Sequence, residues 1–279
     1  MHFPLACSIV GYNFAGWGVD DALLSMSEIG FEGVEMNCPR EFLERGRGAL
    51  KRRLDELGLE AFKYLTGGAG VSCGIEELGD SDPDALCRTM EAYLTHLQIA
   101  VDNGFQKMVV FPGLDPAGGE GSQRAAKLRR SAENLGEVAE IARRYGVELL
   151  VETHAGALAK DHRTFMEMRE LSGSDNVYAN VDPSNYVVVG QDVCEAVREL
   201  RALVRGVHLK DVIMAEGGPY WAPPGSGEVD WAAFLRTLDE VGYHGSLAVE
   251  YEAGVTGRFP VDPEYGARVS HRYITGLMP

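Results

Sequence analysis

Leu149-Leu150-Val151-Glu152-Thr153-His154 is a strand-forming apolar run that ends abruptly in a carboxylate and an imidazole. It follows Tyr145-Gly146-Val147, a pattern typical of a helix that stops at glycine before a strand begins. The same pattern recurs at Val241-Gly242-Tyr243, ahead of another apolar run. These junctions indicate helices that alternate with strands buried on both faces, as in a parallel sheet.

Outward from this stretch, short runs rich in Val, Ile, Leu and aromatic residues alternate with longer helical segments. The segment Asp82-Pro83-Asp84 predicts the start of one such helix, and Gly104 predicts its end. The predicted strands are Leu5–Val10, Gly33–Met36, Ala61–Leu65, Lys107–Phe111, Val147–Glu152, Val177–Asp182, Val204–Leu209 and Ser246–Tyr251. Eight β–α units in 279 residues predict one domain over residues 1–279, a (β/α)8 TIM barrel. Its site should lie at the C-terminal ends of the strands.

Charge and cysteine content narrow the class of protein. Acidic residues outnumber basic ones by 42 to 26, a net charge of −16, which disfavours a nucleic-acid partner. The chain contains no apolar run of about 18 residues and no signal-like start, so we expect no membrane segment and a soluble cytoplasmic protein. The five cysteines form no C-x-x-C pair, which indicates free thiols in a reducing compartment; they are Cys7, Cys38, Cys73, Cys87 and Cys194.

Each of the last four predicted strands ends in a side chain that can bind a metal ion. Those residues are Glu152, Asp182, His208 and Glu250. Neighbouring strands lie about 5 Å apart, so four such residues at matching heights can converge on one ion. Three carboxylates and one imidazole suit Mn²⁺ or Mg²⁺, and tolerate Co²⁺, Fe²⁺ or Zn²⁺. A single acidic residue at a strand end is more often a cap or an ion-pair partner, but four in succession favour a metal site.

Alternation along a strand predicts two further residues at the mouth of the site, since residues two apart share a face. His154 should accompany Glu152, where it would donate to a substrate hydroxyl, orient Glu152, or bind only the rim loops. Lys210 should accompany His208, where it would balance negative charge or hold an oxyanion. If Lys210 has neither role, it would form a salt bridge to Asp211 or to a neighbouring carboxylate.

Four more residues are candidates for contact with a substrate. Asn185 lies one helical turn after the candidate aspartate and could bind a hydroxyl group. Glu35 ends the second strand and could reach the substrate or a partner of a metal ligand. Trp17 and Trp221 are placed in loops above the same rim, where they would stack on a sugar ring or serve in packing.

At these residues the chain resembles the xylose isomerase-like barrel superfamily, and within it the sugar phosphate isomerase/epimerase group, which includes inosose dehydratase-like proteins and ketose 3-epimerases. The resemblance covers essentially the whole chain. Its most specific motifs are V-E-T-H (151–154), N-V-D-P-S-N (180–185), V-H-L-K-D (207–211), P-P-G-S-G-E-V-D-W (223–231) and A-V-E-Y-E (248–252). It implies one divalent metal ion, Mn²⁺ first, on the four strand-end residues named above. A homo-oligomer is an expectation from the resemblance alone.

The resemblance also implies a chemistry for the two glutamates of the site. In ketose 3-epimerases one glutamate removes the proton beside a metal-polarised carbonyl, and the other returns a proton to the opposite face of the enediolate. Glu152 and Glu250 fit these roles. The chain departs from the ketose epimerase pattern at Asn185, Leu158 and Met214, where those enzymes carry histidine, glutamate and arginine. This favours a different carbonyl substrate, such as an inosose or an oxidised glycoside.

The leading hypothesis is therefore a metal-dependent isomerase or epimerase of a sugar-like carbonyl compound. The second is a lyase that uses the same enolate to expel a hydroxyl or glycosidic group. A DNA-repair endonuclease on this barrel is disfavoured by the net charge of −16. A non-catalytic relative is disfavoured because Glu152 and Glu250 are both present. A phosphorylated substrate is not favoured either, since the chain contains no glycine-rich phosphate cradle.

Overall fold

Eight parallel strands close into a barrel in the computed structural model, which describes residues 2–37, 39–66, 77–116, 121–252, 259 and 262–278. The barrel strands are β1 (Leu5–Ser8), β2 (Gly33–Met36), β3 (Glu60–Leu65), β4 (Lys107–Val110), β5 (Glu148–Glu152), β6 (Val177–Val181), β7 (Val204–Leu209) and β10 (Leu247–Val249). Neighbours in space follow chain order, and β10 closes the ring between β7 and β1. The structure confirms the predicted barrel and its eight strands, two of them with the predicted bounds and the others with ends that differ by at most two residues.

Helices surround this barrel. They are α1 (Val10–Phe14), α2 (Val19–Ile29), α3 (Arg40–Glu44), α4 (Ala49–Leu57), α5 (Pro83–Asp102), α6 (Ser122–Arg144), α7 (His162–Ser172), α8 (Pro183–Val188), α9 (Val193–Leu200), α10 (Trp231–Glu240) and α11 (Pro263–Leu277). A 3₁₀ turn, Arg201–Leu203, leads into β7. The predicted start of α5 is confirmed, since the side chain of Asp82 accepts a hydrogen bond from the backbone of Asp84 at 3.0 Å.

A short antiparallel hairpin interrupts the barrel after β7. It comprises β8 (Asp211–Ala215) and β9 (Gly218–Ala222). Gly217 and Gly218 adopt φ angles of +100° and +123° at the turn, which glycine reaches without strain. The placement of Trp221 in a loop was therefore wrong: Trp221 lies in β9, opposite Val212 of β8. The paired backbone gives this side chain a fixed position beside the barrel rim.

The core is apolar around the barrel and contains a polar layer inside it. Strand residues such as Val34, Leu149 and Val207 are fully buried. Cys7 is buried, while Cys87 and Cys194 are at least partly exposed, and all three are free thiols; Cys38 and Cys73 lie outside the described residues. Within the described ranges, no helix combines the length and the apolar character needed to cross a membrane.

Candidate metal centre

The four predicted ligands lie on adjacent barrel strands at the end where those strands finish. Glu152 is the last residue of β5, and Asp182 follows β6 directly. His208 lies near the end of β7, and Glu250 follows β10, with its backbone N–H donating to Leu209 at 3.2 Å. The parallel register therefore brings four consecutive strand ends to one height, as the sequence pattern predicts.

The four side chains converge there. One donor atom from each of Glu152, Asp182, His208 and Glu250 lies within 4.8 Å of every other. Asp182 and His208 are fully buried, Glu250 is 6% exposed, and the side chain of Glu152 is 17% exposed. Three carboxylates and an imidazole this close, with one opening to solvent, form a candidate site for a single divalent cation.

The ring of His208 is oriented with Nδ1 toward the other ligands. Nδ1 lies 3.4 Å from Oε1 of Glu152 and 3.4 Å from Oε2 of Glu250. It is buried and makes no hydrogen bond with any described residue. The opposite nitrogen, Nε2, lies 3.0 Å from Oε2 of Glu35. A buried, unpaired Nδ1 aimed at two carboxylates matches the requirement of a metal ligand.

Glu35 lies beneath His208 and not at the mouth of the site. Its side chain is fully buried, and Lys63 of β3 contacts the same Oε2 atom at 2.5 Å. Burial acts to raise the pKa of Glu35, but the charges of His208 and Lys63 lower it below its ordinary value. The geometry does not favour a direct contact between Glu35 and a substrate, because this side chain is fully buried and its Oε2 is already bound to His208 and Lys63.

Asp182 serves two purposes at the start of α8. Its Oδ1 accepts from the backbone N–H of Ser184 at 2.9 Å and from the Ser184 hydroxyl at 2.6 Å, which caps the helix. Its Oδ2 accepts from Nδ2 of Asn185 at 2.7 Å. The Oδ1 atom of Asn185 accepts from the backbone of Ala155 at 3.1 Å. Asn185 thus holds Asp182 and the loop after β5, and its contact with a substrate hydroxyl stays a prediction.

Lys210 joins the carboxylates at the mouth of the site. Its Nζ lies 3.0 Å from Asp182, 2.7 Å from Glu250 and 2.8 Å from Glu252. Burial acts to lower the pKa of Lys210, but these charges raise it well above its ordinary value. The ammonium also lies 5.1 Å from the ring centre of Trp221, a cation–π contact. Lys210 therefore forms salt bridges, as one of the predictions for it stated, but with three neighbouring carboxylates and not with Asp211.

Asp211 instead organises the loop that covers this side of the barrel. Its fully buried carboxylate accepts backbone N–H groups of Gly225 and Gly227, each at 3.0 Å. It also accepts from the backbone of Val229 at 3.1 Å and from Nε1 of Trp231 at 2.9 Å. The motif at residues 223–231 is thus anchored to β8, next to Lys210.

The remaining candidates lie at the rim. Nδ1 of His154 accepts from the backbone N–H of Gly156 at 3.1 Å, so Nε2 is the nitrogen free to carry a proton. Its ring meets Phe111 edge-on, with centres 5.7 Å apart. Trp17 is half-buried and packs edge-on against Tyr12, with centres 5.3 Å apart. The contacts of His154, Trp17 and Trp221 with a substrate stay predictions.

The charges of the centre fit a divalent cation. The carboxylates of Glu35, Glu152, Asp182, Glu250 and Glu252 outnumber the two ammonium groups of Lys63 and Lys210 by three. Burial acts to lower the pKa of His208, but Glu250 and Glu35 raise it well above its ordinary value. Burial likewise acts to raise the pKa of Glu250, and His208 and Lys210 lower it well below its ordinary value. Such an excess of buried negative charge is relieved by a bound cation.

Two residues of this centre were missed at the level of sequence. Glu252 could have been predicted, since it stands two residues after Glu250 and alternation places both side chains on one face of the strand. Lys63 carried a weaker one, a lone lysine inside the apolar strand A-F-K-Y-L at 61–65. Burial and Glu250 raise the pKa of Glu252, against the opposing effect of Lys210.

Comparison with known proteins gives the site a context. The model of the family described as xylose isomerase-like TIM barrel matches residues 24–276. An L-ribulose 3-epimerase from Mesorhizobium japonicum is 27% identical over 242 residues, which cover 83% of this chain and 75% of that protein. An inosose dehydratase from Clostridium perfringens is 25% identical over 161 residues, 52% of this chain; the match spans about half, 54%, of that relative's length.

Solved structures support the architecture. The 3-keto-D-glucoside 4-epimerase of E. coli superposes with a TM-score of 0.79 and 16% identity, and the match covers 99% of this chain and 100% of the other. At that identity the likeness shows the barrel alone.

Proposed function

Because this chain belongs to the family of xylose isomerase-like TIM barrels, we propose that it is a divalent-metal-dependent isomerase or epimerase of a sugar-like carbonyl compound. The observation that carries the proposal is the convergence of Glu152, Asp182, His208 and Glu250 within 4.8 Å at the C-terminal end of the barrel. Barrel enzymes place their chemistry at that end. The proposed activity rests on these four side chains and not on the fold, because the same fold supports many activities.

Glu152, Asp182, His208 and Glu250 would hold the metal, with Mn²⁺ as first choice. The ion would polarise a substrate carbonyl oxygen, which makes the neighbouring C–H bond more acidic. Glu152 then removes that proton, and Glu250 delivers a proton to the opposite face of the planar enediolate. Burial acts to raise the pKa of Glu152, but His208 lowers it below its ordinary value, which leaves an ionised base. Glu250 takes up from solvent the proton that it delivers, and Lys210, 2.7 Å away, balances the negative charge that grows on the enediolate.

The substrate proposed is a carbonyl compound other than a free ketose. At the three positions where ketose epimerases carry polar side chains, Leu158 is fully buried, Met214 is 41% exposed on the hairpin, and Asn185 is bound to Asp182. None of these three side chains can bind a ketose through the polar or charged groups that those enzymes carry at the same positions. An inosose or an oxidised glycoside presents a ring ketone that the same proton transfer can use.

A second candidate is a dehydratase, favoured by the Lys210–Glu252 contact of 2.8 Å beside Glu250. In this reaction Glu152 or Glu250 removes the proton next to the carbonyl, and the electron pair expels a hydroxyl group on the adjacent carbon. That hydroxyl must leave as water and needs a proton from the protein. The Lys210–Glu252 contact places such a donor at the mouth of the site. The similarity to inosose dehydratase points the same way.

Incubation of the protein and Mn²⁺ with inososes, keto-glycosides and ketoses in D₂O tests both candidates. Deuterium in a recovered or epimerised sugar supports isomerisation, and loss of the mass of one water supports elimination. Neither outcome with any substrate would count against proton abstraction at this site.

The Glu250→Gln variant tests the role of the glutamates. An amide can still bind a cation through oxygen but cannot accept a proton, so we expect moderate loss of metal and loss of turnover. Glu240→Gln on the outer helix α10 is the matched control, since its side chain is 57% exposed. Near-normal turnover in Glu250→Gln would contradict the two-carboxylate mechanism.

A further inference from the structure

A buried pair of opposite charges lies directly under the candidate metal centre. Glu35 on β2 and Lys63 on β3 are register partners and are both fully buried in the barrel interior. They come from the half of the barrel opposite the strands that carry the four ligands. A buried ion pair is costly to place in a core and is a weak source of stability. Its position beneath His208 therefore calls for another explanation.

The ammonium group of Lys63 makes its contacts with groups inside the barrel. Besides Glu35, its Nζ donates to Oδ1 of Asn180 at 2.9 Å and to the carbonyl of Val207 at 3.2 Å. Val207 immediately precedes His208, so the lysine ties Glu35 to the strand that carries the imidazole. Gly206 makes room for this arrangement, because a Cβ atom there would lie 2.2 Å from Oδ1 of Asn180. Through its bonds to Asn180 and Val207, Lys63 holds the carboxylate of Glu35 in place.

The carboxylate in turn determines which nitrogen of His208 faces the ligands. Oε2 of Glu35 lies 3.0 Å from Nε2 of His208, and an ionised carboxylate can only accept a hydrogen bond. In the neutral imidazole that a metal ion requires, the proton must then reside on Nε2, which leaves Nδ1, on the side of Glu152 and Glu250, to bind the ion. Without this acceptor, the ring is free to change tautomer or to rotate.

We propose that Glu35 and Lys63 form a positioning pair that holds His208 in the Nε2–H tautomer, with Nδ1 presented to the divalent cation. The inference rests on the proposed function, since it assumes that the four ligands bind a metal ion. Removal of such a partner of a metal-bound histidine typically weakens metal affinity by about 10- to 100-fold. Neither residue touches the substrate, so the effect is on the metal and not on the chemistry.

The experiment measures the dissociation constant for Mn²⁺ and urea-induced unfolding in three variants. Glu35→Gln keeps a neutral acceptor beside His208. The double variant Glu35→Leu/Lys63→Met removes both charges and replaces them with apolar groups of similar size. Lys107→Met is the control, since that strand lysine binds the carbonyl of Arg205 away from the centre. The ¹⁵N signals of the imidazole in Zn²⁺-loaded protein report its tautomer.

We expect the wild type and Lys107→Met to bind Mn²⁺ equally. The double variant should fold but unfold at a lower urea concentration, because Oδ1 of Asn180 and the carbonyl of Val207 lose a donor, and it should bind Mn²⁺ about 10- to 100-fold more weakly, with mixed tautomer signals. Glu35→Gln should lose about tenfold or less and keep Nε2–H. Affinity in the folded double variant equal to that of the wild type, or an Nε2–H tautomer that persists unmixed in that variant, would overturn the positioning role. Failure of the wild type to bind Mn²⁺ would instead overturn the proposed function.

Discussion

The Nζ atom of Lys210 lies 2.7 Å from the Oε2 atom of Glu250. The same oxygen faces Nδ1 of His208 at 3.4 Å. A divalent cation held by Glu250 would therefore share this carboxylate with an ammonium group that repels it. This repulsion should weaken metal binding. We therefore expect Lys210 to contribute to a later step, such as stabilisation of a growing negative charge.

Substitution Lys210→Met should separate these two effects. Loss of the competing charge should tighten Mn²⁺ binding by about tenfold, or ~1.4 kcal/mol. Turnover should fall by about 100-fold or more, because the positive charge that stabilises the growing oxyanion is lost. Titration with Mn²⁺ and steady-state kinetics measure both. Lys51→Met, on the surface pair with Asp55, is the control, and normal turnover in Lys210→Met would remove the lysine from the mechanism.

Metal affinity should rise with pH. His208 must lose its Nδ1 proton to bind a metal ion, and its pKa in the metal-free protein is raised well above the ordinary value, since Glu250 and Glu35 outweigh the opposing effect of burial. Below that pKa the proton competes with the ion, so affinity should increase by up to about tenfold per pH unit and about one proton should leave per ion bound. Calorimetry in buffers of different ionisation enthalpy counts the protons. Affinity that stays constant between about pH 6 and about pH 8 would point to another ligand.

Asn185 offers a test between two roles. If it positions Asp182 through their 2.7 Å hydrogen bond, Asn185→Ala should weaken Mn²⁺ binding by about tenfold. If it binds a substrate hydroxyl, KM should rise while metal affinity stays unchanged. The contact already present in the structure leads us to expect the first result.

The barrel and the convergence of the four candidate ligands could be predicted because the information is local. Each apolar run is a strand in its own right, and Glu152, Asp182, His208 and Glu250 each stand where such a run ends. Parallel strands that close into a ring then bring those ends together.

The interior layer could not be predicted, because its contacts cross the barrel. Glu35 and His208 are separated by 173 positions and Lys63 and Asn180 by 117, and their meeting depends on strand register. The β8–β9 hairpin was missed for another reason. Glycine-rich segments favour loops and hairpin turns alike, and only pairing across the turn reveals that Trp221 belongs to a strand.

Asp211 should be a major source of stability for the rim. Asp211→Ala would leave the buried N–H groups of Val229 and Trp231, and the partly buried ones of Gly225 and Gly227, without their acceptor. We expect the free energy of unfolding to fall by about 3 kcal/mol or more. Asp239→Ala, at the exposed end of α10, should change it by no more than about 0.5 kcal/mol. Equal urea midpoints for the two variants would show that the loop contributes little.

One divalent cation should bind among the four strand ends. Diffraction from crystals grown with Mn²⁺, using the anomalous scattering of manganese, tests this expectation most directly. We expect one strong peak at bonding distance, about 2.0–2.4 Å, from Nδ1 of His208 and from oxygens of Glu152, Asp182 and Glu250. A saturated crystal with no peak among these residues, or with the peak at other side chains, would contradict it.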